Sequence, residues 1–243
     1  MPYDAAFYAA QSGGSLASAR VVLPLVRELV PGIRSVCDAG CGAGTWLLAW
    51  QELGVEDVLG LDGDYALRSL RIEPARFRAT DLSRPFEAGR GFDLAMSLEV
   101  AEHLPPERGP GFVADLVRLA PVVLFSAAVP HQGGTEHVNE RWQEDWAAEF
   151  ARHGYRACDL LRPRLWDDRR VEVWYRQNLL LFASEAALAA HPGLSAPARF
   201  PLSVVHPEMF GGGVRPGDKG QLVKLLYWAL RRDTARLLRR VRG

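Results

Sequence analysis

Asp38 stands two residues ahead of Gly40 in the run Gly40, Cys41, Gly42, Ala43 and Gly44, and Asp62 closes a second apolar run about twenty residues further on. Glycines at alternate positions let a backbone approach a ligand closely. A carboxylate just before such a turn repels phosphate, but it accepts a hydrogen bond from an ammonium group and attracts a sulfonium cation. A carboxylate at the second position is at the separation where it can accept both hydroxyls of a ribose. Further along, Glu102 and His103 adjoin each other, and His131 and His137 flank a glycine-bearing polar stretch. Histidine exchanges protons near neutral pH, so these are the candidates for acid–base work.

The elements that must position these residues follow from apolar periodicity. Val36, Cys37 and Ala39 suit a buried strand, and Leu47, Leu48 and Leu53 continue at helical spacing after the turn. The glycine spacing differs from the G-x-G-x-x-G of pyrophosphate-binding dinucleotide folds. With Asp38, it favours S-adenosylmethionine over NAD. Apolar runs recur near Val58, Phe77, Leu94 and Val122, separated by segments of helical length. That alternation predicts an α/β, doubly wound, mostly parallel sheet with helices on both faces. Ligands in such sheets lie outside the carboxyl ends of the strands, so Asp38, Asp62, Asp81, Ser97 and Ser126 are expected to converge on one crevice. A helix is expected from Ser15, as N-cap, through Leu16, Ala19, Leu23, Val26 and Val30 to Pro31-Gly32. Ahead of it, Tyr3, Phe7, Tyr8 and Gln11 either fold over the crevice as a lid, with Tyr8 against the acceptor, or pack on the domain, which is the preferred reading.

Composition bounds the partners. With 243 residues, 48% of them hydrophobic and 24% charged, and equal numbers of acidic and basic residues, the chain reads as a soluble globular protein whose bulk charge names no partner. A nucleic-acid partner is not expected. Cys37, Cys41 and Cys158 are odd in number and lack paired metal spacing, which predicts reduced thiols. No apolar stretch approaches the roughly 20 residues needed to cross a bilayer. Cytoplasmic placement is the expectation.

SVCDAGCGAGTW, RATDLSRPF and FDLAMSLEVAEHLPP occur in the order and spacing of motifs in the class I S-adenosylmethionine-dependent methyltransferases, which the chain resembles from about Ser15 to Ser184. The resemblance implies a seven-stranded sheet ending in an antiparallel pair, Ala157–Leu161 with Asn178–Ala183. It also implies that Asp38, Ala39, Gly40, Cys41, Gly42 and Gly44 hold the methionine part, Asp62 and Gly63 the ribose, and Asp81 and Leu82 the adenine. Ser97, Leu98 and Glu99 lie beside the cofactor, with Glu102-His103 opening toward substrate. The product is S-adenosylhomocysteine.

HQGGTEHVNERW, followed by RPRLW and VWYRQN, looks like a subgroup found among bacterial sugar- and polysaccharide-modifying genes, which tilts the acceptor toward a hydroxyl of a sugar or sugar-bearing metabolite. His137, then His103, are the candidate bases. His131, Gly133, Asn139, Trp142, Tyr175, Arg176 and Asn178 are the candidate acceptor contacts, and Trp146 and Trp174 read as core. An N- or C-methyltransferase of another small molecule is the nearest rival, and a noncatalytic S-adenosylmethionine-binding module is the rival of another class. No carboxylate set predicts a magnesium site, so metal-independent chemistry is expected, although Asp38, Glu99, Glu102 and Glu136 keep that question open.

Residues 1–184 are read as the methyltransferase domain, with 1–34 as lid and helix, and 185–243 as an irregular extension or flap carrying a basic helix over 221–242. Lys224, Arg231, Arg232, Arg236, Arg239, Arg240 and Arg242 oppose Asp233 alone on that helix. It either touches anionic membrane or docks its apolar stripe, for instance in a homodimer, and docking is preferred.

Overall fold

The computed structural model describes residues 5–195 and 201–209, with side chains from Gly13 onward. Seven strands form one sheet: β1 (Ser35–Ala39), β2 (Asp57–Asp62), β3 (Phe77–Ala79), β4 (Leu94–Leu98), β5 (Val122–Ser126), β6 (Tyr155–Cys158) and β7 (Leu180–Ser184). Their order is β3-β2-β1-β4-β5-β7-β6, and β1 to β5 run parallel while β7 lies antiparallel between β5 and β6. The class α/β, the parallel sheet and the closing antiparallel pair agree with the expectation.

The strands read as nearly continuous apolar runs because both faces of the sheet are covered. Successive residues alternate between the two cores: Leu94, Met96, Val122, Leu124 and Leu181 face one side, and Ala95, Val123, Phe125 and Phe182 the other. The first core is closed by α1 (Ala5–Leu29) and α2 (Thr45–Glu52), and the second by α3 (Gly109–Leu119) and α4 (Gln143–Ala151). Phe150 stacks on Phe182 at 3.9 Å between centroids, and Trp146 packs against Phe125 at 5.3 Å. Trp146 is therefore core, as expected. Chain order reverses between β1 and β4, which puts the ligand crevice at the carboxyl ends of these two strands.

Two expectations are corrected. The first helix begins at Ala5, not at Ser15. Ala5, Ala6, Ala9 and Ala10 are strong helix formers, and Gly13-Gly14 does not stop the helix because the segment packs against Glu172: a Cβ at Gly14 would lie 2.1 Å from Glu172 Oε1. Ser15, rather than capping, is buried with its Oγ 3.3 Å from the Tyr175 hydroxyl. Tyr8 lies in this helix, but its side chain and all of Tyr3 lie outside the described residues, as does the helix expected over 221–242.

Second, the segment after Ser184 is not irregular from its start: α7 (Glu185–Ala190) is capped by Ser184 Oγ, which accepts from Ala187 N at 3.2 Å. Pro and Gly become frequent only from Pro192. The compact unit that holds the sheet runs to His206. Between β6 and β7 lie α5 (Arg162–Leu165) and α6 (Val173–Asn178), and Arg162, fully buried, pairs with Asp159 at 2.6 Å and donates to Leu202 O at 2.9 Å and Gln177 O at 3.3 Å. Those bonds tie the returning segment to the antiparallel corner. Among the described residues no helix is long and apolar enough to cross a membrane.

Arg162→Leu leaves Asp159 charged and alone at 3% exposure. Breaking one side of a buried pair costs about 3–5 kcal/mol, so the variant's urea midpoint should fall by that equivalent; a shift under about 1 kcal/mol would show that the pair does not hold the corner.

Candidate active site

The turn after β1 is built for close approach. Gly40 has φ +93°, and a Cβ there would lie 2.2 Å from a Val100 methyl, so only glycine lets the turn meet the residues after β4. Cys41 points its sulfur under Gly60 into the core and offers the crevice backbone alone. The turn is fastened to β2: Gly40 N donates to Leu61 O at 2.8 Å, and Gly42 N to Asp62 Oδ2 at 2.7 Å. Asp62 Oδ1 accepts from Gly63 N at 2.7 Å and from the Tyr65 hydroxyl. A carboxylate has about four acceptor positions, so these bonds leave Asp62 room for one further donor. Its role as a fastener of the turn was not anticipated.

Asp38 sits beside it on the neighbouring strand, 3% exposed, with Oδ1 lacking any hydrogen-bond partner. Burial, with the Asp62 charge adding to it, pushes its carboxyl up to about 8. The two acids thus feel each other across one crevice. Asp81 is exposed and accepts from Ser83 N at 3.0 Å as a turn-capping carboxylate, while Leu82 is buried. Ser97 and Leu98 are buried at the end of β4, Ser97 Oγ without a partner.

Past β4 the backbone is strained in a way that marks the site. Glu99, His131 and Glu136 are the non-glycine residues with positive φ among those described, at 55°, 71° and 59°. Such residues persist where surrounding structure holds them and cluster at ligand clamps. Glu99 N donates to Ser126 O at 3.0 Å, and its carboxylate accepts from Gln132 Nε2 at 3.2 Å and Asn178 Nδ2 at 3.3 Å. Burial raises the Glu99 carboxyl above its ordinary value.

The loop over 130–139 is organised by a residue the spacing did not single out. Glu140 accepts from His131 N at 2.8 Å, Gly133 N at 3.0 Å and His137 Nδ1 at 3.1 Å. His137 meets His103 edge to face at 4.9 Å between ring centroids. Both lie near Glu102, which is 1% exposed with neither oxygen hydrogen-bonded. Burial first, and the Glu99 charge second, raise the Glu102 carboxyl well above its ordinary value. Burial and the neighbouring His137 lower His103, which keeps its imidazole neutral over more of the pH range.

The expected acceptor contacts divide. His131 is exposed on the loop, Gly133 has open space where a Cβ would stand, and Trp142 is 39% exposed ahead of α4. Gly134 makes the room instead, since a Cβ there would lie 2.2 Å from His137 Nε2. Asn178 reaches the crevice beside Glu99. Asn139 does not: it is buried and its Nδ2 donates to Ala101 O at 3.1 Å. Tyr175 is buried edge-on to Trp46 at 5.1 Å, with its hydroxyl pushed up to about 12 by burial. Arg176 is buried and donates to Trp166 O at 3.0 Å. These three residues face inward for different reasons: Asn139 is drawn onto the turn after β4, Tyr175 packs from α6 against Ser15 and Trp46, and Arg176 lies from α6 against Trp166 and His206. The sequence lacks a signal for that, since buried and exposed polar residues look alike.

Residues 37–120 match the model of a methyltransferase domain family. No curated protein matches at the level of sequence. Solved structures share the fold. DesVI of Streptomyces venezuelae aligns at 17% identity over 73% of this chain and 95% of its own, with TM-score 0.56. The sugar N-methyltransferase KedS8 of Streptoalloteichus sp. ATCC 53650 aligns at 19% over 69% and 87%, TM-score 0.53. CalS10, a SAM-bound amino pentose methyltransferase from Micromonospora echinaspora involved in calicheamicin biosynthesis, aligns at 17% over 74% and 97%, TM-score 0.54. At these identities the likeness is one of fold.

Asp38 carries a testable signature. Between about pH 4, where an exposed aspartate ionises, and about 8, the folded chain holds a proton that the unfolded chain has lost. Its contribution to stability therefore falls as pH rises through that window. Asp38→Asn should remove the decline, so the variant gains on the wild type from pH 5 to pH 8 by up to about 1.4 kcal/mol per pH unit; parallel stability–pH curves would refute a buried protonated carboxyl.

Proposed function

We propose that the chain, whose residues 37–120 match a methyltransferase domain family, is an S-adenosylmethionine-dependent enzyme that methylates a hydroxyl of a sugar, glycan or sugar-bearing metabolite. S-adenosylmethionine, when bound, supplies a methyl carbon on a sulfonium that is open to in-line displacement. The residues present fit it. The glycine turn offers flush backbone, Asp38 offers an orphaned buried carboxylate to a cation, and Asp62 retains an acceptor position for a ribose hydroxyl. Ala39 to Gly44 with Asp38 are assigned to the methionine part, Asp62 and Gly63 to the ribose, Leu82 with the backbone at Asp81 to the adenine border, and Ser97 to Glu99 to the floor.

One observation carries the choice of acceptor: the Glu140–His137 pair at the mouth of β4, edge to face with His103. Glu140 engages Nδ1 and so orients the ring with Nε2 as its proton acceptor. A hydroxyl must lose its proton as the new bond forms, and a positioned base contributes on the order of a hundred- to ten-thousand-fold. His137 takes that part, with His103 beside it. His131, Gly133 and Trp142 line the exposed side for the sugar, and Asn178 the inner side. The rival is N-methylation of an amino sugar, which two fold neighbours, a sugar N-methyltransferase and an amino pentose methyltransferase, favour and which the carboxylates Glu99 and Glu102 suit.

Two variants separate cofactor binding from turnover. Asp62→Ala removes the partners of Gly42 N and Gly63 N and should weaken S-adenosylhomocysteine binding tenfold or more by calorimetry. His137→Ala should keep that affinity within about threefold and lower turnover on a hydroxyl sugar acceptor by at least about a hundredfold. Unchanged turnover removes His137 from the site, and methylation confined to amino sugars, seen by mass spectrometry, establishes the rival. A chain that binds the homocysteine ligand but methylates nothing is the noncatalytic module.

A further inference from the structure

Spacing along the chain suggested metal-independent chemistry, but folding assembles a different set. Glu102 and His103 sit on the 3-10 turn Ala101–His103 after β4, and His137 comes from the loop above. One donor atom of each lies within 4.8 Å of the other two. Glu102 is 1% exposed, neither of its oxygens has a hydrogen-bond partner, and one of them is the donor that faces the two imidazoles. No ion pair among the described residues includes Glu102.

The surroundings fix these donors. Val138 N and Asn139 N donate to Glu102 O at 2.8 and 3.0 Å, and Asn139 Nδ2 to Ala101 O, so the loop is lashed to the turn. Asn139, unsuited to touch an acceptor, acts here. Each imidazole has one edge engaged: His137 Nδ1 by Glu140, and His103 by a hydrogen bond to the Glu136 backbone. Metal-binding histidines have such outer partners, which set the tautomer and turn the other nitrogen to the ion.

We infer that Glu102, His103 and His137 bind a divalent first-row transition ion. Two imidazoles with one carboxylate suit zinc, cobalt, manganese or iron, whereas magnesium and calcium prefer oxygen donors. Three protein ligands on one side leave positions open toward the crevice. The ion site stands without the proposed acceptor; that reading enters only in assigning the open position to the acceptor hydroxyl, whose proton the ion's charge would loosen. In that state His137 Nε2 is a ligand and takes no proton, so the hydroxyl acidified by the ion would release its proton to solvent water at the open side of the crevice.

The experiment uses the full chain, stripped with a chelator and titrated with Co²⁺ while the visible d–d absorption is followed, without cofactor or acceptor. One ion per chain is expected, with Glu102→Gln and His137→Ala each weakening binding at least tenfold. S-adenosylhomocysteine affinity of both variants, within about threefold of wild type, reports that they fold. Absence of Co²⁺ absorption in the wild type, or wild-type affinity in Glu102→Gln, overturns the site. Should both variants misfold, the proton NMR spectrum of Co²⁺-loaded wild type decides: two paramagnetically shifted exchangeable imidazole N–H resonances that vanish when Zn²⁺ displaces Co²⁺ support the cluster, and bound Co²⁺ with no such resonance overturns it. Ion binding without methyl transfer would fail the functional reading alone, and methyl transfer undiminished in chelator, with no ion bound, would fail the ion alone.

Discussion

Carboxylates withdrawn from water at the carboxyl ends of the central strands, with no ion pair to Asp38, Glu99 or Glu102 among the described residues, are the constraint on which the site depends. Asp38 and Glu102 are buried and Glu99 is half-buried, at or just past the ends of β1 and β4, where chain order reverses. Each is raised by burial, which favours the protonated form until a positive partner arrives. Ligands that bring positive charge would be favoured there. A sulfonium or ammonium at one end and a metal ion or amine at the other are chemistries of that kind.

The scaffold that maintains this arrangement is apolar on both faces and rigid at its ends. Strands alternating between two packed cores fix where each terminal residue points, and glycine at position 40 lets the turn after β1 touch Val100 after β4. Two acids then act as fasteners and not as reactive groups. Asp62 draws the glycine turn onto β2, and Glu140 gathers three donors of the loop over 130–139. On the far side Arg162 holds the chain returning toward His206 against the antiparallel corner. Strain at Glu99, His131 and Glu136 is sustained by these bonds.

The legible parts of the sequence were local. Apolar runs and the glycine turn announced the parallel sheet and its crevice, because periodicity and missing side chains are properties of neighbouring residues. Misreadings arose where a partner far along the chain decided the outcome: Ser15 looks like an N-cap until Tyr175 meets it inside a longer helix, and Tyr175 and Arg176 look like acceptor contacts until Ser15 and Trp46 enclose the one and His206 meets the other. Glu140 gave no warning, since one glutamate among many charged residues carries no pattern.

What the residues by themselves determined is the order of elements, the placing of Asp38 and Asp62 at adjacent strand ends and the glycine turn between them, since each depends on short-range spacing. What only the tertiary structure decided is which polar groups meet: His137 with Glu140, His103 with His137, and both with Glu102. His137 and Glu140 are three residues apart, but the contacts of His137 with Glu102 and His103 join the turn after β4 to a loop more than thirty residues later, and contact over such separations is set by how the sheet closes and which surfaces it buries, information that no local pattern contains.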